Sequence, residues 1–277
     1  MLKLISNMYV GFKIAFVVLL FCNHLIAQEC IGKNSTFKSG EEITYVASYN
    51  LYVVWTEVAE ATLTIRDTMY NNIPAYSFTG IGNTYKKWDW VFKVRDRFET
   101  LIDKNTLRPL TSMRHIREGH YRQDEFYRYN YEDTVAYAKN KTNDNPTTLD
   151  TIKFNACSFD IMSALLYARN IDFSKHQVGD EIPMTILLDK ELYPIHIKYL
   201  GIEEKKVKRI GKFECIKFAV VLIAGETFKE GDTMMVWATN DKNKIVVYAE
   251  SPIIVGEVIV RLSHVKNNRY PFTSLIK

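Results

Sequence analysis

Chemistry needs residues that can move a proton, hold a metal or attack a carbon, and here such residues are thinly spread. In "FDIMSALLYAR" (159–169), Asp160, Ser163 and Tyr167 fall on one narrow strip of a helical pattern. An acid beside a hydroxyl is raw material for nucleophilic catalysis. The plainer reading is stronger. Asp160 in a first turn suits the helix dipole, Ser163 permits close packing, and Tyr167 marks an amphipathic edge. The histidines beyond the N-terminal leader are His115, His120, His176, His196 and His264, and none lies in an HExxH motif. No GxSxG and no Gly-rich phosphate loop is present. The cysteines beyond the leader, Cys30, Cys157 and Cys215, include no close pair, so neither a metal site nor a cofactor is expected.

Two stretches suit binding better than catalysis. In "TYKKWDWVF" (84–92), Tyr85, Trp88 and Trp90 interleave with Lys86 and Lys87. Trp and Tyr favour the headgroup zone of a membrane and lysine favours anionic lipid. The competing reading is a hairpin whose aromatics fold back on a sheet. Downstream, Arg95 and Arg97 share a strand face with Lys93 and Glu99, a surface that an anionic ligand can meet. Acids are dense in the same stretch, so a solvated face laced with ion pairs is the better expectation.

The N-terminus sets the compartment. Lys3 and Lys13 precede or flank an unbroken apolar run, Ile14 to Phe21, and "LIA" at 25–27 ends on a small residue. This is the layout of a cleaved secretory signal peptide over residues 1–27. The run is too short for a membrane span, which needs about 20 residues. Without the leader, Lys+Arg falls from 36 to 34 against 32 Asp+Glu, which leaves +2 and no reason to invoke nucleic acid. The expectation is an exported protein of the periplasm or outer envelope, soluble or peripheral, with no transmembrane segment after cleavage. Export permits a disulfide. Cys215 sits inside an apparent strand, whereas Cys30 and Cys157 border regular structure, so Cys30–Cys157 is the expected pair.

Around these residues the chain reads as mainly β. In "EITYVASYNL", Ile43, Tyr45, Ala47 and Tyr49 share one face, and similar alternation recurs in "YPIHIKYL" (193–200) and "GEVIVRL" (256–262). That pattern suits antiparallel pairing with one wet face. The expected fold is a strongly curved antiparallel sheet, or half-barrels, with one central helix at about 158–169. Ser158 is the expected cap and Asn170 the stop. The helix is apolar around most of its circumference, so it should be buried on most sides. A two-fold repeat is one reading of the rest. "SGEEI" resembles "VGDEI", and "DKNTL" resembles "DKNKI". Gly40 to Gly179 is 139 positions, Asp103 to Asp241 is 138, and Gly119 to Gly256 is 137. Chance recurrence of common turn sequences is the other reading. The domain plan is then a lead-in at 28–36, a single β-rich domain at 37–265 with half-repeats at about 37–140 and 176–265, and a tail at 266–277.

Four segments in order carry a family resemblance: "SGEEITYVASY" (39–49), "FDIMSALLYAR" (159–169), "VGDEI" (178–182) and "VWATNDKNKIVVYAE" (236–250). The chain resembles the exported bacterial family called domain of unknown function 3108, in a form similar to those of Bacteroidetes. One departure is Val246–Val247, where proline often follows the late Asp turn in that family. The resemblance implies no activity and no catalytic residue. It implies a curved sheet comparable with the half-barrels of periplasmic lipoprotein carriers, an analogy of fold alone. The expected function is a non-enzymatic envelope protein that binds an apolar or amphipathic ligand, or a partner protein, in the sheet's concavity. The alternatives are a structural scaffold with no cavity, and a hydrolase acting on envelope glycan or lipid.

Overall fold

The computed structural model describes residues 32–51, 54–155, 157–221, 231–253 and 256–276. The first part of the chain forms β1 (Glu42–Leu51), β2 (Val54–Tyr70), β3 (Ile73–Thr84), β4 (Arg95–Asp103), β5 (Pro109–Glu118), β6 (Tyr121–Asn130), β7 (Val135–Thr142) and β8 (Thr148–Lys153). A two-residue strand, β9 (Ser158–Phe159), and the helix α1 (Ile161–Arg169) follow. The later strands are β10 (Glu181–Leu188), β11 (Glu191–Val207), β12 (Gly211–Val221), β13 (Thr233–Thr239), β14 (Val246–Pro252), β15 (Glu257–Lys266) and β16 (Leu275–Ile276).

Almost every strand pairs antiparallel with its chain neighbour. Short connections make this cheap, because a hairpin closes little chain. At the β2–β3 turn Asn71 and Asn72 both take positive φ, and at the β10–β11 turn Asp189 and Lys190 do the same. Two such residues in succession give the turn twist that matches a hairpin's strands, and Asn and Asp tolerate it best after glycine. The exception to neighbour pairing decides the architecture. β1 pairs with β15, so the two meanders are joined into one 16-stranded sheet. β9 adds to β10 in parallel through Thr185 and Ile186, and β16 caps one end of β12. No strand pairing joins β8 to β9, so the sheet curves into a barrel-like wall that stays open at one seam.

Side chains bridge that seam. The β10–β11 turn presents Asp189 to Arg114 (3.0 Å) and Gln123 (3.2 Å) of the opposite wall. The Lys190 backbone N–H donates to the Tyr127 hydroxyl (2.8 Å), and its ammonium reaches Asp150 (2.9 Å). Beneath these contacts Leu187 packs with Tyr127, Tyr129, Ala136 and Phe154.

The helix lies inside the curve. Met162 and Leu166 pack with Phe37, Ile65, Phe78 and Ile102 on the first wall. Ala164, with Phe159, Ile171 and Phe173, packs against Met184, Ile197, Phe218 and Val236 on the second. The expected helix of about 158–169 is therefore shortened at its start. Ser158 and Phe159 are held extended by β10, and Asp160 rather than Ser158 is the cap. Asp160 accepts from the backbone N–H groups of Met162 (2.9 Å) and Ser163 (3.2 Å), while Ser163 Oγ accepts from the Asp160 N–H (3.1 Å). This reciprocal capping box satisfies otherwise orphaned donors. Asn170 ends the helix, and its side chain ties the Leu166 carbonyl to the Ser35 N–H.

Both flanking segments of the domain are packed on it. Thr36 of the lead-in is buried, Phe272 of the tail meets Phe213 edge to face, and Asn243 binds the backbone of Tyr270 in both directions. Arg169, in the last helical turn, makes a forked pair with Glu41, which sits just before β1. It also donates to the Asn243 carbonyl from Nε (3.1 Å) and Nη2 (3.0 Å), and lies over the Phe37 ring. Removing one partner of a buried pair leaves the other charge without compensation, which costs about 3–5 kcal/mol. Arg169→Met should therefore lose about that much stability in guanidinium unfolding. Glu41→Gln combined with Arg169→Met should lose clearly less than the sum of the single variants. A single-variant loss under about 1 kcal/mol would count against a coupled buried pair.

Candidate functional site

The concavity and its rim are the two places where the residues singled out in the sequence gather. In the concavity, the N-terminal end of α1 carries the buried polar groups. Asp160 Oδ1 also accepts from the Thr100 hydroxyl (2.7 Å), and Oδ2 accepts from Ser163 Oγ (2.7 Å). Burial holds the Asp160 carboxyl above its ordinary value, opposed by these donors. Nearby, Glu125 takes a hydrogen bond from Tyr127 (2.6 Å) and an ion pair from Arg114 (2.8 Å), and burial raises its pKa as well. Tyr129 is buried beside Ser112 without an ordinary hydrogen bond to it. The void among Thr100, Ser112, Asp160, Met162 and Leu187 is about 10 Å³. That is room for one water at most. An open cleft of about 430 Å³ lies elsewhere, lined by Phe37, Lys38, Ser39, Asp67, Tyr76, Lys104 and Arg269. It is polar, and Lys104 and Asp67 (2.6 Å) already pair across it.

The side-chain oxygens of Asp160 and Ser163 are taken up by the capping box and by the Thr100 hydroxyl. Neither group faces a base or an open substrate position, so the strip does not form a nucleophile with its activator. Tyr167, the third member, instead lies against the Phe159 ring at 4.5 Å. Among the described residues no three His, Cys, Asp or Glu side chains converge. His115 pairs with Asp124, and His176 lies near Asp180. Cys157 is disulfide-bonded and Cys215 is free and buried, its thiol pushed up to about 12 by burial. Cys30, the expected partner of Cys157, lies outside the described residues, as does the leader at 1–27.

At the rim, the β3–β4 loop holds most of the aromatic and basic residues singled out in the sequence. Lys86 to Trp88 form one 3-10 turn. Tyr85 is tied by its N–H to the Val58 carbonyl (2.9 Å), and the Trp88 indole donates to the Glu57 carbonyl (3.0 Å). Those two rings fold back, with Lys87 about 6 Å above them. Trp90 does the opposite and is 82% exposed, followed by Val91 at 60% and Phe92 at 53%. Arg95 is not a free basic residue. It braces the loop through Asp89 (2.6 Å) and Thr84, and these two hold the Asp89 carboxyl below its usual range. Arg97 sits further along β4 and pairs with Glu99 (2.9 Å). The exposed pair Val91–Phe92 and the brace Asp89 went unread in the sequence. The signal was a lone acid between two tryptophans, six residues ahead of an arginine.

A further cluster also lacked a sequence signal, since its members come from three strands. Lys205 Nζ lies 3.6 Å from the Trp237 ring centre and 3.8 Å from that of Tyr248. The cage is filled by the protein's own ammonium, so it offers no vacancy to an outside cation.

A family model described as "Protein of unknown function (DUF3108)" matches residues 44–263. The chain belongs to that family. Among curated proteins nothing matches the sequence. Of solved structures, a "beta-barrel-like protein of domain of unknown function DUF1849" from Brucella abortus is similar, with a TM-score of 0.55 at 6% identity. The match covers 84% of this chain and 99% of that one. This likeness is one of fold alone, and it agrees with the barrel-like wall. A Chlamydia trachomatis hypothetical protein, CT021, aligns over 87% of this chain and 93% of its own, with 8% identity and a TM-score of 0.33. A Bacteroides fragilis protein with a YmcC-like fold aligns over 86% and 99%, with 12% identity and a TM-score of 0.33. Among the described residues of this DUF3108 protein, no helix is long and apolar enough to cross a membrane.

The Asp160 cap gives a pH-dependent signature. Its raised folded-state value means the native protein takes up this proton at a higher pH than the unfolded chain. The associated stability is present below the unfolded value and is lost as pH rises through the folded one. Asp160→Ala should cost about 1–2 kcal/mol through loss of the cap. Asp160→Asn retains a capping oxygen and should cost less, with its deficit shrinking as pH rises through that acidic window. Urea unfolding from pH 4 upward measures this, and a deficit that grows with pH would contradict it.

Proposed function

We propose that this DUF3108 protein is a non-catalytic, exported envelope protein whose concavity is filled by its own helix, so that it works as a scaffold with binding surfaces outside. The observation that carries this reading is the occupied interior. α1 packs on both walls, and the void beside its N-terminal end is about 10 Å³. A carrier of acyl chains needs a pocket of about 300–1,000 Å³. The helix is also pinned at both ends, by Asp160 to Thr100 and by Arg169 to Glu41 and Asn243. It is poorly built for swinging out to admit a ligand. The absence of an activated nucleophile among the side chains described above supports a non-catalytic role, and the leader layout at 1–27 supports export.

We also propose that the domain arose from two copies of a six-stranded meander. β2 and β11 are both 17 residues long. Glu42 and Glu181, which open β1 and β10, are 139 positions apart, and Tyr121 and Glu257, which open β6 and β15, are 136 apart. β7 and β8 are then an addition to the first copy, and β8 supplies Asp150 to the β10–β11 turn. Superposing the two strand sets checks this, and strands that fail to overlay in order overturn it.

Native mass spectrometry on protein recovered from its own envelope tests the scaffold reading. Bare protein mass is the expected result. A co-purified lipid seated inside the wall and lost on delipidation would instead establish a carrier.

A further inference from the structure

We infer that the β3–β4 loop is a membrane-docking tip that inserts Trp90, Val91 and Phe92 into the headgroup zone of an anionic lipid surface. Three consecutive large apolar residues are more than half exposed here. The loop cannot fold them away, because its own brace holds it open. Arg95 and Thr84 fix Asp89, and Trp88 and Tyr85 anchor the near side to β2. Phe92 is backed by the β5–β6 turn, where its ring lies against Gly119. A tip preorganised in this way loses little freedom on binding.

Its neighbours sit at the same rim. β2 and β6 both begin there, since β3 and β5 run towards it. Trp55 near the start of β2 is 43% exposed, and Tyr121 at the start of β6 is 41% exposed. The apolar tip therefore stands in a wider aromatic edge, with Trp and Tyr as the residues that suit a headgroup layer.

Charge selects the partner. Lys86, Lys87 and Lys93 bracket the tip, all exposed and in no ion pair among the described residues. The acids beside them are largely neutralised: Asp89 by Arg95, and Glu57 by Arg261. Glu60 remains exposed on β2, one strand away. Lysine is depleted at the core of protein–protein interfaces but pairs with tryptophan at anionic bilayer surfaces. This favours lipid over a protein partner. The proposal does not depend on whether the concavity is filled.

The test uses the chain as cells export it, with intact mass confirming that wild type and variants share one N-terminus. Vesicles of phosphatidylethanolamine with and without phosphatidylglycerol are floated with the protein. Wild type should float with the anionic vesicles, and brominated lipid should quench its tryptophan emission. Trp90→Phe should still float while losing most of that quenching. Trp90→Ser with Phe92→Ser should weaken binding at least about tenfold. Lys86→Glu with Lys87→Glu should abolish the preference for phosphatidylglycerol. Met69→Ser, a control at the opposite end of β2, should leave binding unchanged. Circular dichroism checks that each variant is folded. Wild type that does not float, or a Trp90/Phe92 variant that floats as well as wild type, overturns the proposal. So does a variant whose only change is the loss of self-association, which would make the tip an interface between copies.

Discussion

The fork of hydrogen bonds from Arg169 to Glu41 is the constraint around which the rest is arranged. Three segments distant in sequence meet at one guanidinium: the lead into β1, the end of α1, and the β13–β14 turn through the Asn243 carbonyl. Such a group has no useful place in a protein interior unless its donors are taken up. Its position thus fixes where the helix must stop relative to both walls. From there the capping box at Asp160 sets where the helix must start. Nine residues, about 13 Å at 1.5 Å each, span the distance between these two polar anchors.

That fixed helix explains why interior and rim differ in character. Inside, Met162, Ala164 and Leu166 pack on the walls, and the charges of Asp160 and Arg169 are taken up by a cap and an ion pair. At the rim the same economy is absent. Trp90 and its neighbours are held outward by bonds that would be pointless if the loop were merely a connection. The contrast moves the search for function from the sheet's hollow to its edge.

Much of the wall was legible in the residues, because alternation and turn chemistry are local. β1, β11 and β15 follow period-two patterns that need no knowledge of the partner strand. The family assignment was legible for the same reason, through short ordered segments. What was not legible depends on distant pairing. Ser158 looked like a cap because the helical pattern begins there, but β10 captures Ser158 and Phe159 as a strand and transfers capping to Asp160. Arg95 read as part of a face laced with ion pairs, but only the fold shows that its partner is Asp89 in the loop. Glu41 read as one of many acids in a strand entry. Nothing in its neighbours foretold an arginine 128 positions later. The repeat remains a proposal because its sequence echoes are brief, though the matched 17-residue strands give it weight.

The union of β1 with β15 has a temporal meaning as well as an architectural one. Among the described residues β1 is the first strand to be made and β15 nearly the last, so the edge of β1 that β15 takes must wait until the chain is almost complete. During that interval β2 can dock, but the opposite row of backbone donors and acceptors remains a template for any passing strand. Contacts between residues so far apart form slowly. An unfinished chain meets that hazard among its own kind wherever copies are crowded together. Glu42 at the start of β1 then has a second value. Paired with Lys266 in the finished sheet, it is before that moment a lone charge on an open edge, where it discourages the wrong neighbour.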